Sequence, residues 1–241
     1  MRTFLLCFFS FGFGCLGADF LDPRRGGSHW EDFDLFDSGA WATTANNNAN
    51  NSAAIRQYAN RPGIFTMQST TSNGGSTNEI RKVASMYFAP GDTHRMTFGA
   101  RIVGPLVALT NVYVLAGMID GYYGANGAYV RANFDPSDST WRWMFNTAHG
   151  GNIETNAWRS TAITTNDWFS GYIVATGTNS AVLHWGTNWA SMVPVATNTA
   201  RMNNTANKSV ICLDIWTGPS TNVGRVEVDW DYVGYDATLP R

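Results

Sequence analysis

Charge is scarce in this sequence. Of its 241 residues, 16 are Lys or Arg and 18 are Asp or Glu, 14% in all with a net charge of −2. Soluble chains usually carry about a quarter. No block of basic residues stands out, so the chain lacks the footprint that neutralises a phosphate backbone, which excludes direct nucleic-acid binding. Cysteine is scarce too, with only Cys7, Cys15 and Cys212. His29, His94, His149 and His184 are scattered, without the short spacings of a zinc site. There is no Gly-x-Ser-x-Gly elbow, no phosphate-cradling glycine loop, no internal repeat, and no segment with a sustained helical period.

What is present is apolar residues (44%), aromatics (14%), and much Asn, Thr, Ser and Gly. This mixture favours strands and turns over helices, and the chain is long enough for one large domain with a real core. The first 18 residues read as a secretory signal: Arg2, an apolar stretch from Phe4 through Phe13, then small residues to Ala18. The stretch is too short for a stable membrane span. Two alternatives stand beside it, a retained apolar arm packed on a neighbour and a lipoprotein signal ending at Cys15. Cleavage after Ala18 would leave only Cys212, which cannot form an intramolecular disulfide and reads as a small buried hydrophobe within Val210-Ile211-Cys212-Leu213.

Residues 19–29, with Pro23-Arg24-Arg25-Gly26-Gly27, read as a linker, and residues 30–241 as the folded domain. The Asn/Ala-rich stretch 43–54 reads as a long loop. Strands are expected at 63–68, 80–88, 95–103, 112–119, 127–134, 141–147, 158–163, 169–176, 181–185, 209–216 and 225–235. In the third of these, Met96, Phe98, Ala100 and Ile102 alternate with Arg95, Thr97, Gly99 and Arg101, which marks a strand with one wet face. Many short strands separated by turns predict an all-β sandwich or barrel.

Several motifs recur in a familiar order. They are Arg61-Pro62-Gly63-Ile64, the Gly74-Gly75 turn, Tyr129-Val130, Ser139-Thr140-Trp141, Asn166-Asp167-Trp168, and the closing Val228-Asp229-Trp230-Asp231-Tyr232-Val233-Gly234-Tyr235. Over residues 30–236 the chain resembles the concanavalin A-like lectin/glucanase jelly roll, most closely the jelly-roll domains of bacteriophage structural proteins. The resemblance implies a two-sheet antiparallel sandwich with a concave face and loop-borne ligand sites. It does not fix a function, because the fold hosts lectins, glycosidases, lyases and inert structural domains.

Two constellations could carry chemistry. Glu227, Asp229 and Asp231 occupy alternate positions of one strand and would share a face, the arrangement glycoside hydrolysis requires. The resembled glucanases have Glu at both ends of such a triplet, whereas here the last acid is Asp. The competing reading is a wet acidic stripe whose opposite face, Val226, Val228, Trp230 and Tyr232, is core. The second constellation is the loop Asp120-Gly121-Tyr122-Tyr123-Gly124-Ala125-Asn126-Gly127. Asp120 and Asn126 could hold calcium or sugar hydroxyls, and Tyr122 or Tyr123 could stack on a sugar. Trp141 and Trp143 share one strand face and join the ligand-site candidates. Most of the ten tryptophans should be core, and one or two exposed on a concave face would suit glycan stacking.

These readings favour a non-catalytic virion structural or surface protein, a capsid decoration, fibre or tail component. It would contact other virion proteins or itself, with glycan-binding loops and no obligatory cofactor. The alternative is a secreted or periplasmic lectin-like carbohydrate-binding module, and a glycoside hydrolase ranks third.

Overall fold

The computed structural model describes residues 25–33, 42–46, 52–58, 61–70, 76–86, 91–103, 112–119, 126–165, 167–178, 180–199, 207–217 and 225–238. These residues build two antiparallel sheets packed face to face. One runs in the order β13 (Val193–Asn198), β12 (Ser180–Gly186), β11 (Trp168–Thr176), β6 (Thr93–Val103), β15 (Arg225–Thr238), β4 (Arg61–Thr70) and β3 (Ser52–Tyr58). Its eighth strand, β1 (Arg25–Glu31), pairs with the C-terminal half of β15. The other sheet runs β10 (Asn152–Arg159), β9 (Thr140–His149), β8 (Gly127–Asp135), β7 (Val112–Ile119), β14 (Asn207–Thr217), β5 (Ser76–Met86) and β2 (Ala42–Asn46). The chain crosses between sheets at β4/β5, β5/β6 and β6/β7, so sequence neighbours face each other across the core, as in a jelly roll. Among the described residues no helix is long and apolar enough to cross a membrane.

Alternation of side chains explains the packing. On β6 the inward set Met96, Phe98, Ala100 and Ile102 is buried, while Arg95 and Arg101 on the other face are partly exposed. The central strand β7 is buried on both faces. Val112, Val114, Ala116 and Met118 enter the main core, and Leu115 and Ile119 join a smaller cluster with Tyr129, Ala148 and Cys212. The main core gathers around Phe98, whose ring lies 6.2 Å from both Trp143 and Trp230. Burying each such aromatic contributes up to about 3 kcal/mol. Cys212 is buried, as expected, and forms no disulfide.

The structure corrects four expectations. Strand β1 begins at Arg25, so part of the expected linker 19–29 is sheet. The stretch 43–54 contains β2 and the start of β3, whose backbones pair with β5 and β4 regardless of their Asn/Ala composition. Strand β10 ends at Arg159 rather than covering 158–163. Finally, the register of β15 on β6 jumps between Trp230 and Tyr232, making Asp231 an extra, bulged residue. The bulge reverses the alternation: Val226, Val228 and Trp230 point into the core, and after it Val233 does, leaving Tyr232 on the opposite face. The apolar segment 1–18 lies outside the described residues.

Candidate functional site

The bulge at Asp231 shapes the outer face of the eight-stranded sheet. Tyr232 is opposite Gly99 on β6, and Trp30 on β1 is opposite Gly234 on β15. A side-chain carbon at Gly99 would lie 2.5 Å from the Tyr232 ring, and one at Gly234 would lie 2.6 Å from the Trp30 ring. Each aromatic therefore leans over a glycine that leaves it room. The two rings are parallel within 11° with centroids 5.4 Å apart. The Tyr232 hydroxyl donates to Ser170 Oγ on β11 at 2.9 Å, which pins the ring across β6.

A third ring stands beside these two. Trp189 sits in the 3-10 turn Trp189–Ser191 after β12, fixed by a capping box between Asn188 and Ser191. Its ring meets Tyr232 at 6.2 Å and 75°, a wall against a floor. Tyr172 extends the surface, 6.3 Å from Trp189 and 5.4 Å from His184. Trp30 is 45% exposed and Trp189 56%, far more than the buried core aromatics. Phe33 secures the Trp30 end. It follows β1, takes a left-handed backbone with its N–H donating to Glu31 Oε1 at 3.0 Å, and buries its ring against Phe65.

Ion pairs flank the aromatic group on both sides along the strands. Arg95 Nη1 donates to Asp236 Oδ1 at 3.1 Å and to Thr238 Oγ1 at 3.0 Å. On the other side Arg101 donates to Asp229 Oδ2 from Nε at 2.9 Å and from Nη2 at 2.7 Å, with its guanidinium 4.9 Å over the Trp168 ring. Thr66 Oγ1 donates to the second oxygen of Asp229 at 2.5 Å. Burial raises the Tyr172 phenol, with the Arg95 charge opposing, so it stays a neutral hydroxyl.

Two members of the acidic triplet are thus withdrawn from solvent rather than lying on a wet stripe. Asp229 is fully buried in its ion pair and Glu227 is 4% exposed. Asp231 occupies the bulge, which breaks the shared alternation the triplet would need. Trp141 and Trp143 are likewise removed from ligand contact, because the inward phase of β9 places both in the main core, buried to 2% and 0%. Of the ligand loop, Asp120, Tyr122 and Tyr123 lie outside the described residues. Asn126 Oδ1 accepts the Gly150 N–H at 2.7 Å and so braces the β9–β10 turn. Among the described residues no three His, Cys, Asp or Glu side chains are grouped to hold a metal ion.

A second pair of carboxylates went unseen in the sequence. Glu79 on β5 is opposite Asp214 on β14, on the outer face of the other sheet, and each is 1% exposed. Burial, reinforced by the Glu79 charge, holds the Asp214 carboxyl well above the usual carboxylate range. Cys212 Sγ donates to Glu79 Oε2 at 3.7 Å, and burial pushes the neighbouring Tyr129 phenol up to about 12. Only the β5/β14 register brings these acids together, and nothing in either segment announces it.

No protein-family model matches the sequence, and no curated protein matches it significantly. Solved structures do. A Shewanella oneidensis MR-1 protein of unknown function aligns over 90% of this chain and 88% of its own, with 12% identity and a TM-score of 0.60. The Lotus tetragonolobus seed lectin aligns over 89% of this chain and all of its own, with 10% identity and a TM-score of 0.58. A Bacillus licheniformis β-glucanase aligns over 87% and 98%, with 17% identity and a TM-score of 0.50. At these identities the likeness establishes the fold, the concanavalin A-like jelly roll, and that alone.

Proposed function

We propose that this chain is a non-catalytic glycan-binding module that grips its ligand on the outer face of the eight-stranded sheet. The observation that carries the reading is the aromatic corner of Trp30, Tyr232 and Trp189, with its two tryptophans 45% and 56% exposed. Large aromatics held in fixed poses on a surface offer the apolar faces on which sugar rings stack, while their N–H and O–H edges can hydrogen-bond hydroxyls. Lectins among the similar structures add support at the level of fold. Against glycosidic cleavage stand the burial of Glu227 and Asp229 and the burial of Glu79 and Asp214, which leave Asp231 as the one partly exposed acid of the two groups.

Display on a virion surface would use the same face, since a glycan-gripping module serves equally on a particle or as a secreted protein. A glycan-stacking role accounts for two tryptophans left partly exposed on one face. A glycan and polysaccharide array probed with the whole chain and with Trp189→Ala tests it. Binding by the wild type that the variant loses is expected. Silence of the wild type across neutral and anionic glycans alike, or binding that survives Trp189→Ala, would overturn it.

A further inference from the structure

We infer that Ser191 is a positioning residue of the aromatic corner, its hydroxyl holding Trp189 in the binding pose before a ligand arrives; this rests on the glycan reading above. The rings of the corner are held by different means. Tyr232 and Trp30 each lie over a glycine of the sheet, and Tyr232 is also tied to Ser170. Trp189 stands off the sheet, in the loop after β12. It is 56% exposed, and no residue of its 3-10 turn is buried, so the core does not hold it. Within the corner its ring meets those of Tyr232 and Tyr172, at 75° and 59°.

What fixes this loop is polar. Ser191 Oγ accepts the Thr187 and Asn188 N–H groups, each at 3.1 Å, and donates to the Asn188 carbonyl at 3.0 Å. These bonds use the one donor and both acceptor positions of a hydroxyl. The Ser191 N–H in turn donates to Asn188 Oδ1 at 3.1 Å. Trp189 lies between Asn188 and Ser191, inside the network. Gly186, the last residue of β12, lets the strand end press against it. A side-chain carbon at Gly186 would lie 2.6 Å from Ser191 Oγ and 2.8 Å from the Met192 nitrogen. An exposed turn that buries nothing adds little to global stability, because such segments open locally without unfolding the domain. The gain from the network is a fixed ring. Ordering one large side chain in advance spares the ligand that entropy, a change of about two- to tenfold in Kd.

The test pairs binding with a reading of the ring itself. Isothermal titration of the whole chain against soluble mixed-linkage β-glucan, arabinoxylan, galactomannan, alginate and polygalacturonate finds the polymer that the wild type binds. On that polymer Ser191→Ala should raise Kd by about two- to tenfold, and Ser191→Thr, which keeps the hydroxyl, should restore it. Melting temperatures of both variants should stay within about 3 °C of the wild type. The ligand-free protein is also labelled with 5-fluorotryptophan, and the Trp189 fluorine resonance is identified by its loss in Trp189→Phe. That resonance should be a single line in the wild type and in Ser191→Thr, and should move or broaden in Ser191→Ala. An unchanged Kd or an unchanged Trp189 resonance in Ser191→Ala would overturn the positioning role while leaving the glycan reading intact. A larger fall in melting temperature would mark Ser191 as structural and overturn the role as well. Silence of the wild type on every polymer would overturn the glycan reading, and the role of Ser191 with it.

Discussion

Replacing Asp229 by alanine probes how the closing strand is built. The carboxylate is fully buried and accepts three hydrogen bonds: Thr66 Oγ1 at 2.5 Å, Arg101 Nε at 2.9 Å and Arg101 Nη2 at 2.7 Å. Removing one partner of a buried pair leaves the other charged and costs about 3–5 kcal/mol. Arg101 keeps 17% side-chain exposure and its place over Trp168, so the lower end applies, about 3 kcal/mol. For a domain of this size that corresponds to a fall in Tm of roughly 6–12 °C. Urea unfolding should show the loss in the midpoint at constant slope. The double variant Asp229→Leu with Arg101→Met should recover most of it, because apolar replacement of the whole pair removes the orphaned charge. A coupling energy above about 1.5 kcal/mol in the cycle is expected. A loss under about 0.5 kcal/mol, as at an ordinary surface position, would refute the reasoning and restore the solvated stripe.

Other consequences follow from the same geometry. Burial, reinforced by the Glu79 charge, raises the Asp214 carboxyl well above the usual carboxylate range, so the folded state binds its proton more tightly than the unfolded chain does. Its contribution is full below about pH 4 and is lost as pH rises toward the folded value, so Asp214→Asn should stabilise the protein at pH 7 and not at pH 3, as read from paired melts. Trp143→Ala should cost about 3–5 kcal/mol by opening a cavity beside Phe98, yet leave the Kd of the remaining folded protein unchanged. Gly99→Ala forces the Tyr232 ring from its place. It should cost about 1–3 kcal/mol and weaken glycan binding, as read from melts and titration together.

How far the sequence carried the fold depends on where pairing mattered. The alternation of Met96, Phe98, Ala100 and Ile102 showed which face of β6 is core, because a half-buried strand must alternate. The same logic failed on β15 after Trp230, because a bulge shifts the phase without changing the residue pattern, and Tyr232 moved from expected core to the outer face. Strands β2 and β3 were hidden by their Asn and Ala content, since a ladder of backbone hydrogen bonds does not need β-forming side chains. Strand β13 carries Pro194, which a strand at the sheet edge tolerates. The candidate site was less legible still. That most tryptophans are core was readable, and Trp141, Trp143 and Trp230 are. That Trp30 and Trp189 stand exposed follows from β1 docking on β15 and from the turn after β12, both long-range facts.

The central claim is that Trp30 and Trp189 touch the ligand, and oxidative footprinting read by mass spectrometry measures that directly. With the protein saturated by whichever polysaccharide it binds, both tryptophans should lose reactivity while the partly buried Trp158 and Trp216 keep theirs. Unchanged oxidation of Trp30 and Trp189 at saturation, with protection falling instead on Tyr122 and Tyr123, would contradict the account and move the site to the loop at 120–127.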